Sequence, residues 1–166
     1  ADDSPMLEIA IDKDQPKAEL YAELTSFAAA LVDGEPDAIA NMANVAALIW
    51  QYVPGLNWAG FYRVIDNELV LGPFQGKTAC IRIAIGSGVC GAAAASSLVQ
   101  RVADVHAFPG HIACDAESRS ELVIPVMKNG SVIAVLDLDS PLPDHFDAED
   151  ESGLVKLIDA IADNLG

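Results

Sequence analysis

The stretch SELVIPVMKNGSVIAVLDLDS, residues 120–140, decides the fold of this chain. It contains two apolar segments, Glu121–Lys128 and Ser131–Asp139, on either side of Asn129-Gly130. Asn-Gly between apolar segments is the strongest short-range signal for a tight β-hairpin, because both turn residues must adopt a positive φ. The sequence therefore predicts an antiparallel pair of strands here.

Two carboxylates, Asp137 and Asp139, end the second of these strands. Side chains alternate along a strand, so the two acids share one face. Both faces are otherwise apolar, with Ile133 and Val135 beside the acids and Leu136 and Leu138 opposite them. The strand is therefore expected to be buried on both sides. Carboxylates in such a place are costly unless they are paired or functional, so both are candidate site residues.

Outside the hairpin, helical periodicity alternates with short strands. Apolar residues three and four apart predict three long helices, and a shorter one follows a Gly-rich segment: Lys17–Val32, Asp37–Val53 (with Pro36 at a helical N-terminus), Asp147–Leu165 and Gly91–Ser97. The further predicted strands are Asn57–Ile65, Glu68–Leu71 (joined to the first through Asp66-Asn67), Ala79–Ile85 and Leu98–Ala103. This order indicates an α+β fold with a central antiparallel sheet and the terminal helices packed on one side. We expect an N-terminal extension over residues 1–15 and one domain over residues 16–166.

Composition narrows the class of protein. The chain has 166 residues, of which 52% are hydrophobic, so it can bury a substantial core and is not disordered. Its net charge of −16 argues against nucleic acid and anionic membrane as partners, because both attract basic surfaces. The acidic start does not resemble a signal peptide, and three cysteines are an odd number for a secreted disulfide framework. A cytoplasmic location is expected.

The segment HAFPGHIACDAESRSE, residues 106–121, is a long aperiodic loop that carries Cys114. Such loops in compact domains are functional or disordered, and the apolar residues here favour order. With Cys80 and Cys90 upstream, the three thiols could form a redox relay, a metal site or inert packing. Zinc would have to use these cysteines with His106 and His111, and the sequence lacks the close ligand pairs that structural zinc sites favour.

Five motifs together resemble the free methionine-(R)-sulfoxide reductases, which are catalytic members of the GAF-domain class. They are LGPFQG (residues 71–76), GSGVCG (86–91), DVHAFPGHIACD (104–115), SELVIPV (120–126) and VLDLDS (135–140). The resemblance runs from about Lys17 to the C-terminus. It implies a single GAF-like domain that reduces free methionine-(R)-sulfoxide, pairs as a homodimer and is recycled by thioredoxin. It implies no cofactor and no metal.

The resemblance also implies a role for each candidate residue. Cys114 matches the cysteine that attacks the sulfoxide sulfur, Cys80 the principal resolving cysteine and Cys90 an auxiliary thiol. The remaining matches are the aromatic wall around the substrate methyl group, Trp58 and Tyr62, and the acids around the sulfoxide and the amine, Glu121, Asp137 and Asp139. Alternation along the predicted strand independently places Trp58 and Tyr62 on one face.

Elementary chemistry agrees with these roles. A thiolate that attacks sulfoxide sulfur must expel oxygen, which leaves well only when it is protonated. A buried carboxyl kept neutral by a like-charged neighbour is a suitable acid. The alternative function is a non-catalytic GAF module that binds a small polar ligand. That module would need the aromatic residues and the acids, but not three placed thiols.

Overall fold

The fold of the computed structural model, which describes residues 10–112 and 114–166, is α+β, as predicted. Its described helices are α1 (Lys17–Val32), α2 (Ala38–Tyr52), α3 (Gly88–Ser96) and α4 (Ala148–Ile161). Its described strands are β1 (Trp58–Ile65), β2 (Glu68–Gly76), β3 (Arg82–Ala84), β4 (Gln100–Val102), β5 (Ser120–Lys128) and β6 (Ser131–Ser140). They form one antiparallel sheet in the order β3-β2-β1-β6-β5-β4.

One face of the sheet is covered by α1, α2 and α4, as predicted for the terminal helices. Fully buried leucines from the helices, such as Leu24 and Leu154, pack in one core with Leu136 and Leu138 of β6. The start of α4 is fixed by a capping box, in which the Asp147 side chain accepts hydrogen bonds from the first-turn backbone N–H groups. This side of the molecule is a packed scaffold.

The opposite face of the sheet carries a second, smaller core beneath α3. It contains Trp58 and Tyr62 of β1, Val135 of β6, and Val89 and Cys90 of α3. Helix α3 lies very close to the end of β3, since a Cβ on Gly91 would be 2.6 Å from the carbonyl oxygen of Ala84. The candidate site residues lie on this side of the sheet.

Several predicted boundaries need correction. The predicted strand Ala79–Ile85 shortens to β3 because residues 77–81 form an irregular segment. The predicted strand Glu68–Leu71 is longer in the structure and extends to Gly76 by pairing with β1. Helix α2 begins at Ala38, after Asp37, whose side chain accepts a hydrogen bond from the N–H of Ala40 at 2.8 Å. The remaining differences are shifted ends: α3 begins at Gly88, β4 is Gln100–Val102, and the last helix ends at Ile161 before a 3₁₀ turn.

The predicted facing of Ile133 is wrong. A bulge interrupts the β5–β6 register, where Val126 pairs with Ala134 but Met127 pairs with Val132. The extra residue turns the side chain of Ile133 into the helix-side core, whereas Val132 packs on the α3 side. Beyond the bulge the alternation resumes, so the predicted facing of Val135, Asp137 and Asp139 is correct.

The predicted N-terminal extension lies partly outside the described residues, which begin at residue 10. Of its described part, Ile11 is buried against the helix-side core. No helix in the described part of the chain is both long and apolar enough to cross a membrane.

Candidate active site

Two neighbouring strands, β5 and β6, bring the carboxylates together under α3. Asp139 of β6 pairs with Trp58 of β1 on one side and with Glu121 of β5 on the other, and Asp137 pairs with Gly60. Because cross-strand neighbours point to the same face, all three acids face α3. Glu121 and Asp137 are 7% and 5% exposed, and Asp139 is half-buried.

Burial and mutual repulsion make these acids unusual. Burial raises the pKa of the Glu121 carboxyl well above its ordinary value, and the charges of Asp137 and Asp139 raise it further. The pKa of Asp139 is raised by the same causes, burial first and then the charge of Asp137. Burial also raises the pKa of Asp137, against hydrogen bonding from its neighbours. The cluster therefore holds protons at a pH at which exposed carboxyls have lost them.

The three thiols are in two states. Cys80 and Cys114 form a disulfide across 34 residues of sequence, while Cys90 is free and buried. Cys90 Sγ lies 3.9 Å from Glu121 Oε2, and burial together with the charges of Asp137 and Glu121 raises the pKa of its thiol. Cys90 is therefore a protonated, weakly nucleophilic thiol on the α3 side of the site.

Aromatic side chains of β1 hold the segment that carries Cys80. The Tyr62 hydroxyl donates a hydrogen bond to the carbonyl oxygen of Cys80 at 2.9 Å, and Trp58 Nε1 donates to the carbonyl oxygen of Lys77 at 3.1 Å. The Trp58 ring stacks on Tyr62 and on Phe74, with centroid separations of 5.8 and 5.1 Å. These rings thus form one wall and also position the loop that contains Cys80.

A polar contact that sequence reasoning missed holds the loop of Cys114. Asn57 Nδ2 donates to Asp115 Oδ2 at 3.0 Å and contacts Ser118 Oγ at 3.1 Å. Asn57 precedes β1 and Asp115 follows Cys114, so this contact ties the loop to the edge of the site. The only sequence signal was a polar residue immediately before a strand whose first residue, Trp58, was already a candidate.

A small cavity of about 50 Å³ lies between these elements. Seven of the predicted site residues line this cavity: Trp58, Tyr62, Cys90, Cys114, Glu121, Asp137 and Asp139. The eighth, Cys80, is attached to the cavity wall through its bond to Cys114. Of the two histidines considered as zinc ligands, only His111 lines the cavity; the ring centroid of His106 is 6.2 Å from that of His111, outside the cavity. The full zinc ligand set considered from the sequence is therefore not brought together around this cavity. The site therefore joins thiols, carboxyls and an aromatic wall.

This fold and site define a class of protein: a small-ligand domain with an acidic pocket beside a disulfide. The GAF domain model matches residues 28–166. A solved structure described as a putative GAF sensor protein from Burkholderia vietnamiensis is 55% identical, has a TM-score of 0.86, and covers 89% of this chain and 94% of its own.

More specific relatives carry an activity in their names. The free methionine-R-sulfoxide reductase of Escherichia coli is 51% identical over 142 residues, which is 86% of each chain. The free methionine-R-sulfoxide reductase of Neisseria meningitidis, solved in complex with its substrate, is 41% identical with a TM-score of 0.89, over 96% of this chain and 95% of its own. The chain therefore belongs to the free methionine-R-sulfoxide reductase family of GAF-domain proteins.

Proposed function

We propose that this protein reduces free methionine-(R)-sulfoxide to methionine with its own thiols as the reductant. The observation that carries the proposal is the Cys80–Cys114 disulfide at the edge of a pocket floored by three acids. Family membership supports the substrate, because relatives at 51% and 43% identity are named free methionine-R-sulfoxide reductases.

The proposed reaction balances within one chain. The Cys114 thiolate attacks the sulfoxide sulfur and forms an S–S bond, and the protonated oxygen leaves as water when the S–O bond breaks. Water then attacks the Cys114 sulfur and breaks the S–S bond, which releases methionine and leaves a sulfenic acid on Cys114. The Cys80 thiol then attacks that sulfur and releases water, which forms the disulfide seen in the structure. Two thiols thereby supply the two electrons that the sulfoxide accepts. Cys90 is not needed for these steps and is the auxiliary thiol.

The acids have two proposed tasks. A neutral carboxyl, from Glu121 or Asp137, protonates the departing oxygen, and their raised pKa values keep such a proton available. A carboxylate of the same cluster, with Asp139 as the candidate, receives the substrate ammonium group. Peptide-bound methionine lacks that ammonium, so the cluster selects the free amino acid. Trp58 and Tyr62 enclose the substrate methyl group.

The disulfide must be reduced for a second turnover, and we assign this step to thioredoxin in the cytoplasm. Cys80 and Cys114 are half-buried, so a dithiol protein can approach them.

We also propose that the chain pairs as a homodimer. A groove of about 530 Å³ between α1 and α4, lined by small residues such as Ala22 and Gly153, is the described surface on which a second copy would pack. Sedimentation should then give twice the chain mass of 17.4 kDa.

Counting free thiols after one addition of substrate tests the reaction. Fully reduced protein mixed with methionine-(R)-sulfoxide, with no added reductant, should lose two of its three thiols and release one methionine per chain. A ligand-binding module without activity would lose none. Cys114→Ser should release no methionine, whereas Cys80→Ser should release about one equivalent and stop at the sulfenic acid or a substitute disulfide. A full single turnover by Cys114→Ser would identify a different nucleophile.

A further inference from the structure

The pocket contains a set of potential metal-ligand atoms, from α3 and from the sheet, that the reductase reaction does not explain. Cys90 Sγ and one carboxylate oxygen each from Glu121 and Asp137 all lie within 4.8 Å of one another, and all three residues are buried. The ion pairs found in the described part of the chain are all elsewhere, so no lysine or arginine neutralises this cluster there. The cluster therefore concentrates negative charge and a thiol in one small volume.

One oxygen of the cluster has no partner. Asp137 Oδ1 is fully buried and makes no hydrogen bond, although the Asp137 residue as a whole is 5% exposed and lines the cavity. An unpaired buried acceptor destabilises a protein, and does so more strongly when it is charged. A cation or a donor bound to this atom would remove that cost.

We propose that Cys90, Glu121 and Asp137 bind one borderline divalent cation, such as Zn²⁺, while Cys80 and Cys114 are joined as a disulfide. One thiolate and two carboxylates suit Zn²⁺, which is four-coordinate with S, N and O ligands, whereas Mg²⁺ and Ca²⁺ prefer oxygen alone. The ion displaces the thiol proton, because a coordinating thiol is deprotonated outright. Asp139 or water supplies the fourth ligand.

The size of the cavity agrees with an ion. A volume of about 50 Å³ accommodates one cation with a few waters. The ion would occupy Glu121 and Asp137, the acids assigned above to protonation of the departing oxygen, so it would inhibit the enzyme by competing with methionine sulfoxide. That inhibition rests on the proposed function, but the binding does not.

The oxidised protein offers a clean test with Co²⁺ as the probe. With Cys80 and Cys114 consumed in the disulfide, Cys90 is the only remaining cysteine of the chain, so any thiolate-to-Co²⁺ charge-transfer band must come from it. We expect one Co²⁺ per chain, a thiolate band in the near ultraviolet, and displacement of Co²⁺ by Zn²⁺. Methionine sulfoxide should reduce the band competitively.

Variants separate the proposed site from surface binding. Cys90→Ser should abolish the thiolate band, and Glu121→Gln should weaken Co²⁺ binding at least about 100-fold, since even partners outside the ligand shell typically cost 10–100-fold. His106→Gln is the matched control, because His106 neither touches the cluster nor lines the cavity, and it should leave the band unchanged. Thermal melts check that each variant is folded, and Cys90→Ala replaces Cys90→Ser if that variant does not fold.

The proposal is overturned if saturating Co²⁺ produces no thiolate band in oxidised wild-type protein. It is also overturned if the band persists without Cys90, or if His106→Gln removes it. The spectra are recorded without turnover, so a protein that shows the band but releases no methionine would contradict the proposed function and leave the metal site standing.

Discussion

Replacing Tyr62 by phenylalanine should separate the two halves of the proposed reaction. The Tyr62 hydroxyl donates a hydrogen bond to the carbonyl oxygen of Cys80 at 2.9 Å, while its ring stacks on Trp58. Tyr62→Phe keeps the ring and removes only the hydrogen bond. The aromatic wall should therefore survive, and the segment that carries Cys80 should be held less firmly.

The size of the effect follows from the value of one hydrogen bond. A typical intramolecular hydrogen bond contributes a net 0.5–1.5 kcal/mol, which corresponds to a factor of about 2–13 in the population of the ordered segment. If Cys80 must be in this position to attack the sulfenic acid on Cys114, disulfide formation should slow by that factor. Attack on the substrate precedes the involvement of Cys80, so methionine release should keep its wild-type rate.

Rapid-quench measurements under single-turnover conditions give both rates, with methionine quantified directly and free thiols trapped by alkylation. Tyr21→Phe is the matched control, because it removes a buried tyrosine hydrogen bond on the helix side of the sheet, to Asp150 at 2.6 Å. That variant should lose stability and keep both rates. The reasoning is refuted if Tyr62→Phe slows methionine release while disulfide formation after release keeps its wild-type rate.

The remaining predictions concern the acids and the scaffold. If Glu121 is the proton donor, the single-turnover rate should fall as pH rises through its raised pKa, and Glu121→Gln should lack that limb and lose about 10²–10⁴-fold in rate; an unchanged pH profile would move the role to Asp137. The pKa of Glu121 is higher in the folded state than the unfolded value of about 4.3, so its contribution to stability is fully present below about pH 4.3 and is lost as pH rises through the folded pKa. Glu121→Gln should therefore raise the urea midpoint at pH 8 but not at pH 4. N-acetylated methionine sulfoxide should show about 10–150-fold lower kcat/KM than the free amino acid, because a hydrogen bond to a charged group is worth about 1.5–3 kcal/mol; comparable rates would remove amine recognition from the carboxylates. Asp150→Ala should lower the free energy of unfolding by about 3 kcal/mol in urea titrations, because the carboxylate accepts hydrogen bonds from Tyr21, Lys17 and the backbone of Asp147, while the activity of the folded fraction stays unchanged.

Local patterns predicted most of the fold. The helix Lys17–Val32 has the predicted ends, because its apolar spacing and the Asp33-Gly34 stop are properties of adjacent residues. The two hairpins were predictable from their turns, and Asp66, Asn67 and Asn129 all have the positive φ that such turns require. Alternation also gave the common face of Asp137 and Asp139, so most of the carboxylate cluster follows from the sequence.

Other features depend on distant residues and left no local signal. The bulge at Ile133 arises from the register against β5, and no pattern within β6 shows it. The loop at Cys80 was predicted as a strand because its composition is apolar, whereas the carbonyl oxygens of Lys77 and Cys80 accept hydrogen bonds from the side chains of Trp58 and Tyr62. The contact of Asn57 with Asp115 joins residues 58 positions apart, beyond the reach of periodicity.

The Cys80–Cys114 disulfide closes a loop that contains β3, α3 and β4, and α3 is the helix that covers the acids. For a sequence separation of 34, chain-entropy arguments give a stabilisation of about 4 kcal/mol against opening of this loop to an unfolded state. The core on the helix side of the sheet contains no cysteine. Each proposed turnover therefore adds one covalent crosslink to this segment, and each reduction removes it. Residues 80–114 should unfold more readily when the two thiols are reduced and ready to react than when they are joined.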